Sequence, residues 1–156
     1  MKIGMTAIIA LALVAPAWAV DHSGPQTIQI RLTHPAPGKD RDRMEYVHQD
    51  DPNDAFTELV FVDRQAVANQ SQIKSAKVVR YGDNEARVDV FLRGSQDEIL
   101  RQDAGKHVAV VIDGQVWGVA RLAPESTTEK LELAGDFTPQ QATALSDKIN
   151  QVAHEQ

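Results

Sequence analysis

Apolar side chains recur along this chain with two different periods. Over residues 27–32 they alternate, with Ile28, Ile30 and Leu32 on one side, the period of a half-buried strand. The same two-residue period returns over 87–92 at Val88, Val90 and Leu92, and over 130–134 at Leu131 and Leu133. Shorter runs at 44–48, 58–63 and 76–81 predict further strands. Over 139–153 the spacing changes, and Ala142, Leu145, Ile149 and Val152 fall on one face of a helix. Residues 107–112 and 115–120 are two apolar runs joined by Asp113 and Gly114. Asp-Gly suits a type I′ turn, whose two central residues both need positive φ, so this stretch predicts a tight hairpin.

The polar residues between these runs mark the boundaries. Gly135 and Phe137 lead into Thr138, which can cap a helix; Pro139 fits its first position, and Gln141 completes a capping box. Ser95 with Glu98 forms a second capping box, opening a helix that runs to Ala104 and stops at Gly105. Residues 67–76 read as a short linker with one helical turn, capped by Ser71. Pro35, Pro37 and Gly38 with the charged run 39–43 predict a loop. The acidic stretch 49–54, residues 82–84 and residues 124–129 predict turns and a loop. Six to eight short strands and two helices, with antiparallel hairpins and the helices on one face, make an α+β sandwich.

Composition changes the picture at the N-terminus. Lys2, an apolar charge-free run over 7–15, Pro16 and the small residues Ala17 and Ala19 have the pattern of a secretory signal peptide cleaved after Ala19. The apolar run is shorter than the ~20 residues a membrane span needs. Residues 20–26 form a polar, flexible tail, and 27–156 a single domain. The expected location is the periplasm or the outside of the cell. Without Cys, neither a disulfide framework nor lipid attachment through Cys is available. Removing Lys2 takes the net charge from −6 to −7. That balance argues against nucleic acid or anionic lipid as main partners, and no further segment could span a membrane, so no stable membrane insertion is expected after cleavage.

Candidate chemistry is thin. His22, His34, His48, His107 and His154 are scattered, one per segment, and only His48 with Asp50 and Asp51 approaches a metal-binding cluster. The segment 50–54 lacks the spacing and terminal Glu of a calcium loop. There is no Cys nucleophile, no Gly-x-Ser-x-Gly and no phosphate loop; Ser71, Ser95 and Ser126 fall in caps or loops, and Asp113 is explained by its turn. No enzyme, metal or cofactor is expected. Asp113, Gly114, Gly135, Phe137 and Thr138 are turn and cap residues. Trp117, the sole Trp after Ala19, lies on the second hairpin strand, and with Val119 and Arg121 it forms the candidate contact surface.

The residues of the C-terminal half carry a resemblance. Gly105, Lys106, Ala109, Val110, Ile112, Asp113, Gly114 and Val116, then Gly135, Phe137, Thr138 and Ala142, resemble the head of the first periplasmic domain of the protein-translocase subunit SecD. Val67, Ser71, Ile73 and Ala76 resemble its upstream linker more distantly. The resemblance covers about residues 27–153. It implies a ferredoxin-like layout and a protein or unfolded polypeptide as partner. It does not extend to the transmembrane helices of SecD, so no motor role is implied. The reading is thus an exported, non-enzymatic module that binds polypeptide by strand addition or in an apolar groove. The alternatives are a periplasmic small-ligand or metal-binding accessory protein, or an inhibitor of a secreted enzyme.

Overall fold

The structure is a computed structural model that describes residues 27–48, 56–94, 103, 105–127 and 129–154. The expected signal peptide, the acidic stretch with Asp50 and Asp51, and most of the segment expected to form a helix from Ser95 to Ala104 lie outside the described residues.

Eight strands build one sheet: β1 (Ile28–His34), β2 (Arg41–His48), β3 (Phe56–Asn69), β4 (Ile73–Tyr81), β5 (Glu85–Leu92), β6 (His107–Ile112), β7 (Gln115–Leu122) and β8 (Lys130–Phe137). A 3-10 turn η1 (Gln70–Gln72) joins β3 to β4, and helix α1 (Pro139–His154) follows β8. The spatial order is β2-β3-β1-β6-β7-β8-β5-β4, antiparallel throughout. The β2 end curls over until Tyr46 pairs in parallel with Val116 of β7. Strands β2, β3, β1, β6 and β7 therefore close on themselves, and β8, β5 and β4 extend as an open wing.

The two-residue period sorts the side chains between two cores. Ile28, Ile30, Val108, Val110, Ile112, Val88, Val90, Leu131 and Leu133 face α1, which contributes Ala142, Leu145, Ile149 and Val152. Inside the closed part Val60, Val62, Ala109, Val111 and Val116 pack with Met44, Tyr46 and Val119. Strands β6 and β7 thus contribute to both cores, one from each face.

Asp113 and Gly114 form a turn and Thr138 a helix cap, whereas Gly135 and Phe137, expected among the turn and cap residues, lie within strand β8 because β8 stays paired with β5 up to Phe137. Asp113 has φ 51° and Gly114 φ 77°, the two positive values of the expected turn. Asp113 also ties the turn to β1. Its Oδ1 accepts from the Thr27 N–H at 2.8 Å, and its own N–H donates to Thr27 O at 2.9 Å. At the start of α1 the Thr138 N–H donates to Gln141 Oε1 (2.8 Å) and the Gln141 N–H to Thr138 Oγ1 (3.2 Å), a reciprocal capping box. Gly118 lets α1 approach β7, since a Cβ there would stand 3.2 Å from Leu145 Cδ2.

Some boundaries differ from the sequence expectation. The charged run is not all loop: β2 begins at Arg41, because on a strand its charges find cross-strand partners. Asp42 accepts from Arg31 Nη1 and Arg64 Nε, each at 3.0 Å. Residues 67–69 finish the 14-residue β3 and are not linker. The cap of the helical turn is Asn69, whose Oδ1 accepts from the N–H (3.1 Å) and the hydroxyl (2.6 Å) of Ser71, the residue expected to cap. Strand β8 runs past Gly135 to Phe137. The fold is α+β. The finer ferredoxin-like layout is not established, because the sheet has eight strands and curls closed at one end.

Candidate functional site

The hairpin β6–β7 carries an irregularity at its Trp. Val110 pairs with Gly118, but Val111 pairs with Val116, so Trp117 is the extra residue of a β-bulge. Regular alternation would put Trp117, Val119 and Arg121 on one face. The bulge sets Trp117 apart from the other two. Val119 packs inside the closed part of the sheet beside Val116. Arg121 is exposed and lines a groove of about 660 Å³ with Tyr81, Arg87, Glu125, Asp136 and Phe137. Trp117 turns outward beside α1, where Lys148 Nζ stands 5.6 Å from the ring centroid, within cation–π range.

The parallel seam gives Trp117 apolar company. Tyr46 and Val116 are paired and both point into the small core. One residue further along each strand come Val47 and Trp117, both on the outside. Leu59 of β3 pairs with Glu45 and lies diagonally from Val47 on the same outer face. Trp117, Val47 and Leu59 are 41%, 46% and 44% exposed, and they account for three of the four exposed large hydrophobic side chains among the described residues. Strands β7, β2 and β3 thus carry an apolar row across the molecule's surface, with Lys148 at one end. The pairing of β2 with β7 links segments about 70 residues apart, so reading the sequence strand by strand found Trp117 but not Val47 or Leu59.

Two charged assemblies stand away from this row. On β5 and β8, facing away from α1, Asp89 and Glu132 are almost fully buried between Arg87 and Lys130. Arg87 Nε lies 2.9 Å from Asp89 Oδ1, and Arg87 Nη1 lies 2.7 Å from Glu132 Oε2. These contacts are ion pairs rather than aligned hydrogen bonds. Lys130 Nζ reaches Glu132 Oε1 at 2.5 Å and Asp89 Oδ2 at 3.5 Å. The Glu132 carboxylate, above all, raises the Lys130 pKa; partial burial works against it, and Asp89 adds to the rise. Two carboxylates and two cations balance, each carboxylate oxygen facing its own cation, which is the arrangement of a structural clasp. In the second assembly, beside a polar cavity of about 520 Å³, Arg31 donates to Gln29 Oε1 (2.7 Å) and Asp42 Oδ2 (3.0 Å). The Arg64 hydrogen bond, above all, lowers the Asp42 pKa, with Arg31 contributing. The cavity's inner guanidinium is therefore already engaged by protein acceptors.

Among the described residues the histidines do not converge. His34 Nε2 lies 2.7 Å from Asp63 Oδ1, while His107 and His154 are exposed on other elements. Among the described residues no group of three or more His, Cys, Asp or Glu side chains is placed to hold a metal ion. Nor, among the described residues, is any helix long and apolar enough to cross a membrane.

The family model of the SecDF P1 head subdomain matches residues 44–153. The chain belongs to that family. The match spans β2 to α1 and so includes the bulged hairpin, the seam and the apolar row. Among solved structures, the chain is similar to one of SecDF, described as a membrane component that enhances protein export. The two share 12% identity over 84% of this chain and 63% of the other, with a TM-score of 0.47. SecDF in its super-membrane-facing form gives the same identity, coverage of this chain and TM-score, but there the match covers 19% of the other chain. The chain therefore spans less than two thirds of either SecDF chain. No curated protein matches it.

Proposed function

We propose that this chain is an exported, non-enzymatic P1-head module that binds unfolded polypeptide in the periplasm in support of protein export. The observation that carries the reading is the bulge that turns Trp117 outward into one row with Val47 and Leu59. A surface of this kind, rimmed by polar groups, marks a protein contact. It suits unfolded chain, which offers apolar side chains without a fixed shape. Membership of the SecDF P1 head family supports a role in translocation, and the signal-peptide pattern of residues 1–19 supports export.

The test uses the processed chain, residues 20–156, and a permanently unfolded, carboxymethylated protein as probe. Trp117→Ala is expected to weaken binding about tenfold, in line with loss of an aromatic hot spot. Val47→Ser and Leu59→Ser are expected to weaken it less. All three positions are substantially exposed, so the denaturation midpoint checks that folding is retained. Folded Trp117→Ala protein that binds the probe as the parent does sinks the assignment.

A further inference from the structure

The opposite end of the sheet carries a second feature. The β2 end meets β7 at the Tyr46–Val116 pair, whereas among the described residues the outer edge of β4 pairs with no strand at any position. An edge strand presents a row of backbone N–H and C=O groups to any extended chain. At Ala76 that row is already occupied. Asn150 of α1 accepts from the Ala76 N–H through Oδ1 at 2.7 Å and donates from Nδ2 to Ala76 O at 3.0 Å. A carboxamide that engages both backbone groups of one residue takes the place of the next strand. Bond directions alternate along an antiparallel strand, and the β4–β5 pairing is regular from Ser75 to Tyr81. Val78 and Arg80 therefore present their N–H and C=O to the same side as Ala76, beyond the reach of an amide already bonded there.

We propose that the outer half of β4, residues 78–81, is a docking strip for an extended acidic polypeptide segment, and that Asn150 is the plug that sets its inner limit. The choice of occupant follows from charge. Within and beside the strip, β4 carries Arg80 and Lys77 and no acidic residue, in a chain of net charge −6. A second copy pairing antiparallel through β4 would bring these cations against one another, which disfavours self-association. An acidic strand gains both the backbone ladder and cross-strand ion pairs. The strip rests on the polypeptide-binding reading, but it uses backbone groups at the far end of the sheet from Trp117.

Amide hydrogen exchange of the processed chain, read by NMR, tests the strip. The probes are two synthetic peptides without aromatic residues, one alternating Glu with Val and one alternating Lys with Val. Saturating Glu peptide is expected to slow exchange at Val78 and Arg80 at least tenfold, and the Lys peptide to leave both unchanged. Val78→Pro removes an outward donor without removing a ladder bond to β5 and is expected to abolish the effect. Asn150→Ala exposes Ala76, so protection should spread to it and binding should tighten severalfold. If that variant is destabilised, Val78→Pro still decides. Three results overturn the proposal: no protection at saturation, equal protection by the Lys peptide, or protection that rises with protein concentration in the absence of peptide. Trp117→Ala separates the two readings. Loss of edge protection alone, with Trp117-dependent capture of unfolded protein intact, ends the strip and spares the proposed function. Edge protection without Trp117-dependent capture does the reverse.

Discussion

At the scale of single residues, the strongest commitment in this molecule is the clasp of Arg87, Asp89, Lys130 and Glu132. Two carboxylates almost out of water are tolerated only because two cations hold them. Arg87→Ala leaves both carboxylates short of a partner and strips the cation from above Tyr81, 4.9 Å from its ring centroid. It should lower stability by about 3 kcal/mol, the low end for a broken buried pair, because Arg87 keeps some contact with solvent. Denaturant unfolding measures this, and replacing Arg87 and Glu132 together by Met and Leu should cost much less. The pH dependence has a definite sign. The Lys130 pKa is raised, so its contribution is complete below 10.5 and is lost as pH climbs through the higher folded value. The Asp42 pKa is lowered, so its contribution is present above 3.8 and is lost as pH falls through the depressed value. Lys130→Met should flatten the alkaline limb of the stability profile, and Asp42→Asn the acid limb, the latter weakly because its pair with Arg64 is solvent-screened. The sequence shows the four clasp residues as alternating polar positions on two predicted strands. It does not show that β5 lies beside β8, the pairing that brings the four together.

At the scale of elements, local chemistry was largely readable and the irregular points were not. The Asp113-Gly114 turn, the Thr138 cap and the apolar face of α1 are set by contacts within a few residues, and each stands where the sequence places it. Strand β3 is different. Its 14 residues outlast the apolar run that predicts it, because pairing with β1 and β2 extends it at both ends. The Trp117 bulge likewise depends on how β7 meets both β6 and β2, so alternation counted from the sequence groups Trp117 with Val119 and Arg121. The contact of α1 with β7 gives the testable consequence at this scale. Gly118 carries no side chain where Leu145 and Phe137 crowd, with a Cβ position 3.2 Å and 3.4 Å from their nearest atoms. Gly118→Val should therefore push the helix off the sheet. It should destabilise by about 1–3 kcal/mol, the usual range for overpacking. Gly118→Ala should be milder, because the Leu145 side chain can shift by a few tenths of an ångström. If Gly118→Val matches the parent in thermal unfolding, the close approach of α1 is not a real constraint.

At the scale of the whole molecule, the order of the strands makes the surface. The apolar row exists because β2 folds back onto β7, and β4 has an unpaired edge among the described residues because it ends the strand order. Neither can be read from a sequence taken alone, since both arise from pairings between distant segments. The same order predicts how the molecule unfolds. The large core beneath α1 and the small core inside the curl are filled from opposite faces of the same two strands: Val108 and Val110 point one way, and Ala109 and Val111 the other. A cavity in either core therefore loosens strands that the other core requires. Ile149→Ala, in the large core, should cost about 2–5 kcal/mol. Val62→Ala, in the small core, should cost less, because fewer methyl groups are lost. Both should leave one cooperative transition with an unchanged denaturant slope, followed by Trp117 fluorescence on the curl and by circular dichroism across the sheet. If Val62→Ala separates the two probes, with fluorescence lost before the sheet signal, the curl opens on its own. The row of Trp117, Val47 and Leu59 would then be a surface assembled on demand rather than one held ready by the fold.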